Sequence, residues 1–259
     1  MDAPALVDAH CHLGLMSDGA AFAAGCAAAG LEVFDCGVNP RDTYAARRRD
    51  AACPGIIPGA GLHPWWIADG RCSEDDVALL CEQAERERFI GEVGLDFSPR
   101  FAGSEQAQQA AFERLCRTLA KRPLPGRIVS IHAVRAAGTV LDILDGHGLL
   151  KAAPDSPAVV FHWFSGTSDD FARARGAGCF FSVGERMLKT RRGREYARQI
   201  PLGQLLLETD APEKPAQQPA PMDIRASLAR AAAVIAELKG TDAPAIIRAT
   251  TATWHHLIA

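Results

Sequence analysis

The chain has 259 residues, 48% hydrophobic and 23% charged, and its 28 Lys+Arg against 31 Asp+Glu leave a formal net charge of -3. That balance excludes a strongly basic protein that coats nucleic acid and an acidic disordered chain, and it leaves room for a local basic patch. No run reaches the roughly 18 apolar residues of a membrane helix, and Met1-Asp2-Ala3-Pro4 lacks the basic start of a signal peptide. The eight cysteines are scattered with no Cys-x-x-Cys pair, so a cytoplasmic protein with reduced thiols is expected.

Short apolar, β-branched runs alternate with helical stretches along the whole chain. The predicted strands cover residues 5–12, 32–38, 56–63, 89–96, 127–134, 158–165, 179–185 and 204–210. The main predicted helices cover 74–88, 105–121, 187–200, 223–238 and 243–257. Strand–helix alternation implies parallel strands joined by crossover helices. Eight such units in this length fit an α/β fold of the (β/α)8 TIM barrel type, a single domain over residues 1–259. An open doubly wound sheet is the runner-up, disfavoured because no Gly-x-Gly-x-x-Gly opens a helix after the first strand.

Taken in chain order, the strands carry polar residues at their C-terminal ends. The first ends Asp8-Ala9-His10-Cys11-His12, and alternation puts Asp8, His10 and His12 on one face. The fourth reads Ile90-Gly91-Glu92-Val93-Gly94-Leu95-Asp96, with Glu92, Gly94 and Asp96 on one face and Glu92 inside an apolar strand, where a carboxylate needs a partner or a metal. The fifth ends at His132 and the sixth at His162, and the eighth carries Glu208 and Asp210 on one face after a leucine run. In a barrel these ends converge on one mouth, where active sites sit. His10, His12, Glu92, His132, His162 and Asp210 then match a ligand set for two divalent ions. Glu92 suits the bridge, since one carboxylate spans ions about 3.5–4 Å apart. His147, His255 and His256 fall outside strand ends and receive no role. The segment Arg186, Lys189, Arg191, Arg192, Arg194 and Arg198 either tracks a nucleic-acid backbone or is a solvated helix face, while Arg47-Arg48-Arg49 reads as outer surface.

These stretches resemble the TatD family of metal-dependent hydrolases and deoxyribonucleases, of the amidohydrolase-like barrels. The resemblance rests on Val7-Asp8-Ala9-His10-Cys11-His12, Gly61-Leu62-His63-Pro64, Gly91-Glu92-Val93-Gly94-Leu95-Asp96, His162-Trp163-Phe164-Ser165-Gly166 and Leu207-Glu208-Thr209-Asp210-Ala211-Pro212, with Gln108 and Phe112 in the helix between. It implies one ion on His10, His12, Glu92 and Asp210, and another on Glu92, His132 and His162. It further implies that Asp210 orients the attacking water and that His63 contacts the substrate phosphate, with Arg135, Ser165 and Glu208 as further candidate substrate contacts.

Three departures from the family pattern stand out. Arg135 follows His132 by three residues where the family has two. Trp163 replaces a commonly small residue, and its strand parity predicts outward packing. The loop Glu213-Lys214-Pro215-Ala216-Gln217-Gln218-Pro219 replaces the family's Asn-Glu-Pro signature.

The expected function is hydrolysis of phosphodiester bonds by metal-activated water, an exonuclease on single-stranded DNA using two divalent ions (Zn, Mn or Mg). A histidine-rich shell favours Zn or Mn over Mg. The alternatives are a small-molecule amide, ester or phosphoester hydrolase of the same barrel group and a metal-binding subunit of a multi-protein system such as phage defence.

Overall fold

A computed structural model describes residues 5–150 and 155–259. The elements run β1 (Leu6–Cys11), α1 (Gly19–Cys26), β2 (Leu31–Asp35), α2 (Thr43–Asp50), β3 (Ile56–Pro58), α3 (Pro64–Ala68), α4 (Glu74–Ala84) and β4 (Phe89–Asp96). They continue with α5 (Glu105–Lys121), β5 (Ile128–Val134), α6 (Ala137–Gly146), β6 (Ala158–His162), α7 (Ser168–Gly176) and β7 (Phe180–Val183). The chain closes with α8 (Glu185–Leu188), α9 (Arg191–Gln199), β8 (Leu205–Leu207), α10 (Pro221–Lys239) and α11 (Ala243–Ile258).

Local chemistry explains where these elements start and which faces they bury. In α5 the buried residues Gln108, Phe112, Leu115, Cys116 and Leu119 recur at helical spacing, so one stripe faces the strands. α7 opens on a capping box: Thr167 Oγ1 accepts from Asp170 N at 3.1 Å and Asp170 Oδ2 accepts from Thr167 N at 2.9 Å. Such caps contribute about 0.5–2 kcal/mol. The helix expected over 187–200 is two pieces. Thr190 interrupts it and caps α9, its side chain accepting from Gly193 N at 2.9 Å.

All strand pairs are parallel and follow chain order, as β1-β2-β3 and β4-β5-β6-β7-β8. Backbone hydrogen bonds outside the regular ladders join the two sheets at both seams. On one side Gly91 N donates to Ala60 O at 2.9 Å and Leu62 N to Glu92 O at 3.0 Å. On the other, Asp210 N donates to His10 O at 2.9 Å and His12 N to Ala211 O at 2.7 Å. The third and eighth strands are shorter than the sequence suggests, because the chain continues past them in close-packed irregular form. A side chain at Gly61 would collide with the Gly37 carbonyl and the Glu92 backbone, so only glycine fits that crossing.

The outward faces of the strands, such as Val93, Leu95, Ile131 and Phe181, pack into the helices. A second apolar cluster, built largely from strand starts and including Val7, Phe34, Ile128, Val160 and Leu206, is covered by Trp254 and Leu257 of α11. No helix among the described residues is long and apolar enough to cross a membrane.

Candidate metal centre

Strand β4 carries Glu92 into the middle of the ring, where it is 1% exposed. Its two oxygens face different partners. Oε2 lies 3.3 Å from His10 Nε2 and 3.2 Å from His12 Nε2, both from the first strand. Oε1 lies 2.6 Å from His132 Nδ1, 2.9 Å from His162 Nε2 and 3.3 Å from His63 Nε2. Burial disfavours the carboxylate, yet the surrounding imidazoles of His63, His162, His10 and His132 hold it ionised well below the usual range.

The far nitrogens of three of these rings are fixed by neighbours, which aims the near ones at Glu92. His10 Nδ1 meets Ser130 Oγ at 2.8 Å, and His12 Nδ1 meets the Cys36 carbonyl at 2.7 Å. His132 Nε2 meets Asp96 Oδ2 at 3.2 Å. Asp96 is in turn held by Trp65 Nε1 at 2.5 Å and Ser98 N at 2.8 Å. Gln108 grips the Asp96 backbone on both sides, accepting from its N–H at 2.7 Å and donating to its carbonyl at 2.9 Å. A carboxylate behind an imidazole is the usual support of a metal-ligating histidine. The fourth ring, His162, stacks on His10 with centroids 4.0 Å apart, and its buried Nδ1 faces Glu208 Oε2 at 3.8 Å, beyond hydrogen-bond distance.

Asp210 completes the group from beyond β8. Its backbone turns left-handed, φ 55, which brings Oδ1 to 3.4 Å from His12 Nε2. Oδ2 accepts from Arg186 Nη1 at 3.1 Å. Burial raises its pKa, but His12, His162 and His10 outweigh that and hold it at about 2. His12 shows the converse: burial alone would neutralise it, while Asp210 and Glu92 raise its pKa to about 10. His10, buried beneath and facing His162, is lowered to about 3.

The donor chemistry fits divalent cations. The ligand atoms of His10, His12 and Glu92 lie within 4.8 Å of one another, as do those of His63, Glu92 and His132 and of His10, His162 and Glu208. So many imidazole nitrogens around buried carboxylate oxygens form a donor set that fits divalent cations. His63 differs from the rest. Its Nδ1 accepts the Trp65 N–H at 3.1 Å, and burial keeps the ring neutral, so its proton sits on Nε2 and it is a donor.

The centre opens into a cavity of about 670 Å³. Three tryptophans and three arginines, Trp65, Trp66, Trp163, Arg71, Arg100 and Arg186, stand on its wall. Ser165 is exposed and also lines it. Arg135 is exposed at the end of β5, left-handed at φ 54, and lies off the cavity lining.

Other sequence expectations need correction. Glu208 does not reach the substrate space: it is buried, with its carboxylate bound to Ser182 Oγ and to the Trp163 N–H at 3.0 Å. Its parity with Asp210 fails because β8 ends at Leu207. Trp163 does not point outward, since its φ of 38 breaks the alternation after His162 and places the ring on the cavity wall. Asp8 does not join His10 and His12, because the β1–β2 register shifts between Asp8 and Cys11. It ties β1 to the last strand end instead, accepting from Thr209 N at 3.0 Å. Of the basic segment only Arg186 lines the cavity, whereas Arg191 and Arg194 border a separate groove with Leu238. Asp96 was on the same predicted face as Glu92, so its support of His132 had a sequence signal. Arg186 was marked only as part of a basic run, and Ser130, inside β5, had no sequence signal.

Comparison with known proteins decides the family. The family model described as TatD related DNase matches residues 7–258. The chain belongs to the TatD-related DNase family. It is 33% identical over 208 residues to a human protein named deoxyribonuclease TATDN3, covering 77% of this chain and 70% of that one. It is 35% identical to a protein of Dickeya dadantii named 3'-5' ssDNA/RNA exonuclease TatD, covering 70% of this chain and 78% of the relative. A similarly named protein of Citrobacter rodentium is 30% identical, with 68% of this chain and 65% of the relative covered. In fold, a TatD homologue from Escherichia coli superimposes with a TM-score of 0.79 at 23% identity over 97% of both chains. A TatD family hydrolase from Entamoeba histolytica gives 0.76 at 16% identity over 99% of both. The architecture is the TIM barrel of the TatD proteins, and membership of this family makes the chain a hydrolase acting on phosphodiester bonds.

Proposed function

We propose that this chain is an exonuclease that trims single-stranded DNA with two divalent ions, and that residues 1–259 act as one catalytic barrel. The observation that carries the reading is the division of Glu92, one oxygen toward His10 and His12 and the other toward His132 and His162. One carboxylate between two imidazole pairs is the ligand pattern of a bridged pair of cations. The nitrogen-rich donor set favours Zn or Mn over Mg. The relatives named 3'-5' ssDNA/RNA exonuclease support the choice of a single strand. Eight free thiols, seven of them buried, suit a reducing compartment such as the cytoplasm.

Divalent ions bound here would acidify water and neutralise charge on the phosphate oxygens. The chain's own residues do the rest. His10, His12 and Asp210 would hold one position and His132 with His162 the other, with Glu92 shared. Asp210 sits at the cavity wall, where its carboxylate orients the attacking water and takes its proton. His63, protonated on Nε2, donates to a phosphate oxygen as negative charge builds there.

Metal analysis of the purified protein together with end-labelled single strands tests this reading. Two equivalents of metal and shortening from one end are expected, and Asp210→Asn should lower kcat about 10²–10⁴-fold. Unchanged hydrolysis by Asp210→Asn overturns the assigned role.

A further inference from the structure

We propose that Arg186 and Trp163 form a nucleotide subsite beside Asp210: the guanidinium takes a substrate phosphate, and the indole carries the adjoining unpaired base. The inference rests on the nuclease reading and adds a binding site to it.

Arg186 lies on the short helix after β7 and is the cavity-wall arginine bound to a residue of the metal centre. Its Nη1 donates to Asp210 Oδ2 at 3.1 Å, while Asp210 Oδ1 faces His12. The other two wall arginines are engaged elsewhere. Arg71 pairs with Asp69 at 2.7 Å and lies 4.2 Å over Trp66, and Arg100 rests on Trp65 and Phe101. The neighbouring carboxylate does not compete for Arg186, because Glu185 is turned away to Ser227 at 2.6 Å and Arg230 at 2.8 Å.

A carboxylate oxygen bound to a guanidinium is a poorer proton acceptor than a free one. A phosphate entering the cavity offers the guanidinium a forked, charge-assisted partner. Arg186 therefore has two alternative partners: Asp210 in the empty cavity and phosphate in the filled one.

Trp163 supplies the second half of the subsite. Its left-handed backbone is fixed by the N–H donated to Glu208, which Ser182 holds in turn. Strain of this kind persists where the surroundings enforce it, and it gathers at ligand sites. The half-buried ring borders the cavity and carries the Arg186 guanidinium 5.8 Å from its centroid. An indole paired with an arginine is a stacking platform for a base whose phosphate lies alongside.

The test measures binding of a labelled, phosphorothioate-linked oligothymidylate to the metal-loaded protein across a salt series, with steady-state cleavage of the ordinary oligonucleotide in parallel. Arg186→Ala should weaken binding about tenfold or more and lower the salt slope by about 0.7, one phosphate contact on a single strand. Trp163→Ala should weaken it about tenfold with the slope unchanged, and Trp163→Phe should restore most of the loss. KM should rise more than kcat falls in both alanine variants. Arg186→Lys, which keeps the charge without the fork, should fall between wild type and Arg186→Ala even if the alanine variant folds poorly.

If wild type binds and cleaves while the variants bind with unchanged affinity and slope, the subsite is wrong and the nuclease reading stands. Loss of kcat alone in Arg186→Ala makes the residue an anchor for Asp210 and likewise overturns the subsite. If wild type neither binds nor cleaves the oligonucleotide, the nuclease reading itself falls.

Discussion

At the start of β5, Arg127 is buried, and its guanidinium donates to four carbonyls, those of Ala84, Glu87, Leu119 and Arg122, at 2.6, 3.2, 3.4 and 2.7 Å. At the other end of the same strand, His132 sits among other imidazoles around Glu92, whose two oxygens face five ring nitrogens. Both ends bury charge, but only the first pairs it with backbone carbonyls. Burial still lowers the Arg127 pKa to about 10, so it stays protonated at neutral pH, stitched to the C-terminal turns of α4 and α5. The second end gathers imidazole nitrogens and carboxylate oxygens in an arrangement that fits added cations. One end is a finished structural joint, and the other has the donor set of a metal centre.

That contrast is open to direct attack, and the sharpest cut is at Glu92. Glu92→Gln removes the charge both histidine pairs share. It should lower activity more than about 10³-fold and abolish the second metal equivalent, as read by kinetics and metal analysis. In chelator the same variant should melt somewhat lower than wild type, because the imidazoles that hold Glu92 ionised lose their charged partner.

Arg127→Met is the mirror experiment. It strands four carbonyls, those of Ala84 and Leu119 buried, and should lower the unfolding free energy by about 3–5 kcal/mol, while kcat per folded molecule stays at the wild-type value. If denaturant melts show no loss, the joint is not what secures that end.

Asp96→Asn should have a smaller effect, weakening metal affinity about 10–100-fold in chelator competition, because His132 loses its charged support. The smallest change is expected from Arg198→Ala. Its partner Glu195 is on the same exposed turn, so the melting temperature and the salt slope of cleavage should both match wild type within experimental error.

The ring order and the ligand histidines were legible because they break a strong local pattern. A histidine or glutamate at the end of an apolar β-branched run has few stable explanations, and five strands repeat the signal. The wall of the cavity was not legible for a definite reason. Arg135, Trp163 and Asp210 all adopt left-handed backbone just past a strand end, with φ of 54, 38 and 55. Alternation of faces predicts nothing beyond such a turn, so Trp163 and Glu208 exchange the roles that parity assigns them. The register shift between Asp8 and Cys11 has the same effect on the first strand. Support of His132 by Asp96 was half visible, since their shared face could be seen but not their distance.

The hydrogen bond from Asp210 N to His10 O fastens the last strand end to the first. It also sets side by side two candidate ligands that stand 200 residues apart in the chain. On the proposed reading, a chain truncated before that strand end keeps His10, His12 and Glu92 but loses the seam and Asp210 together, so the contact that completes the ring and the group proposed to orient water depend on the same segment.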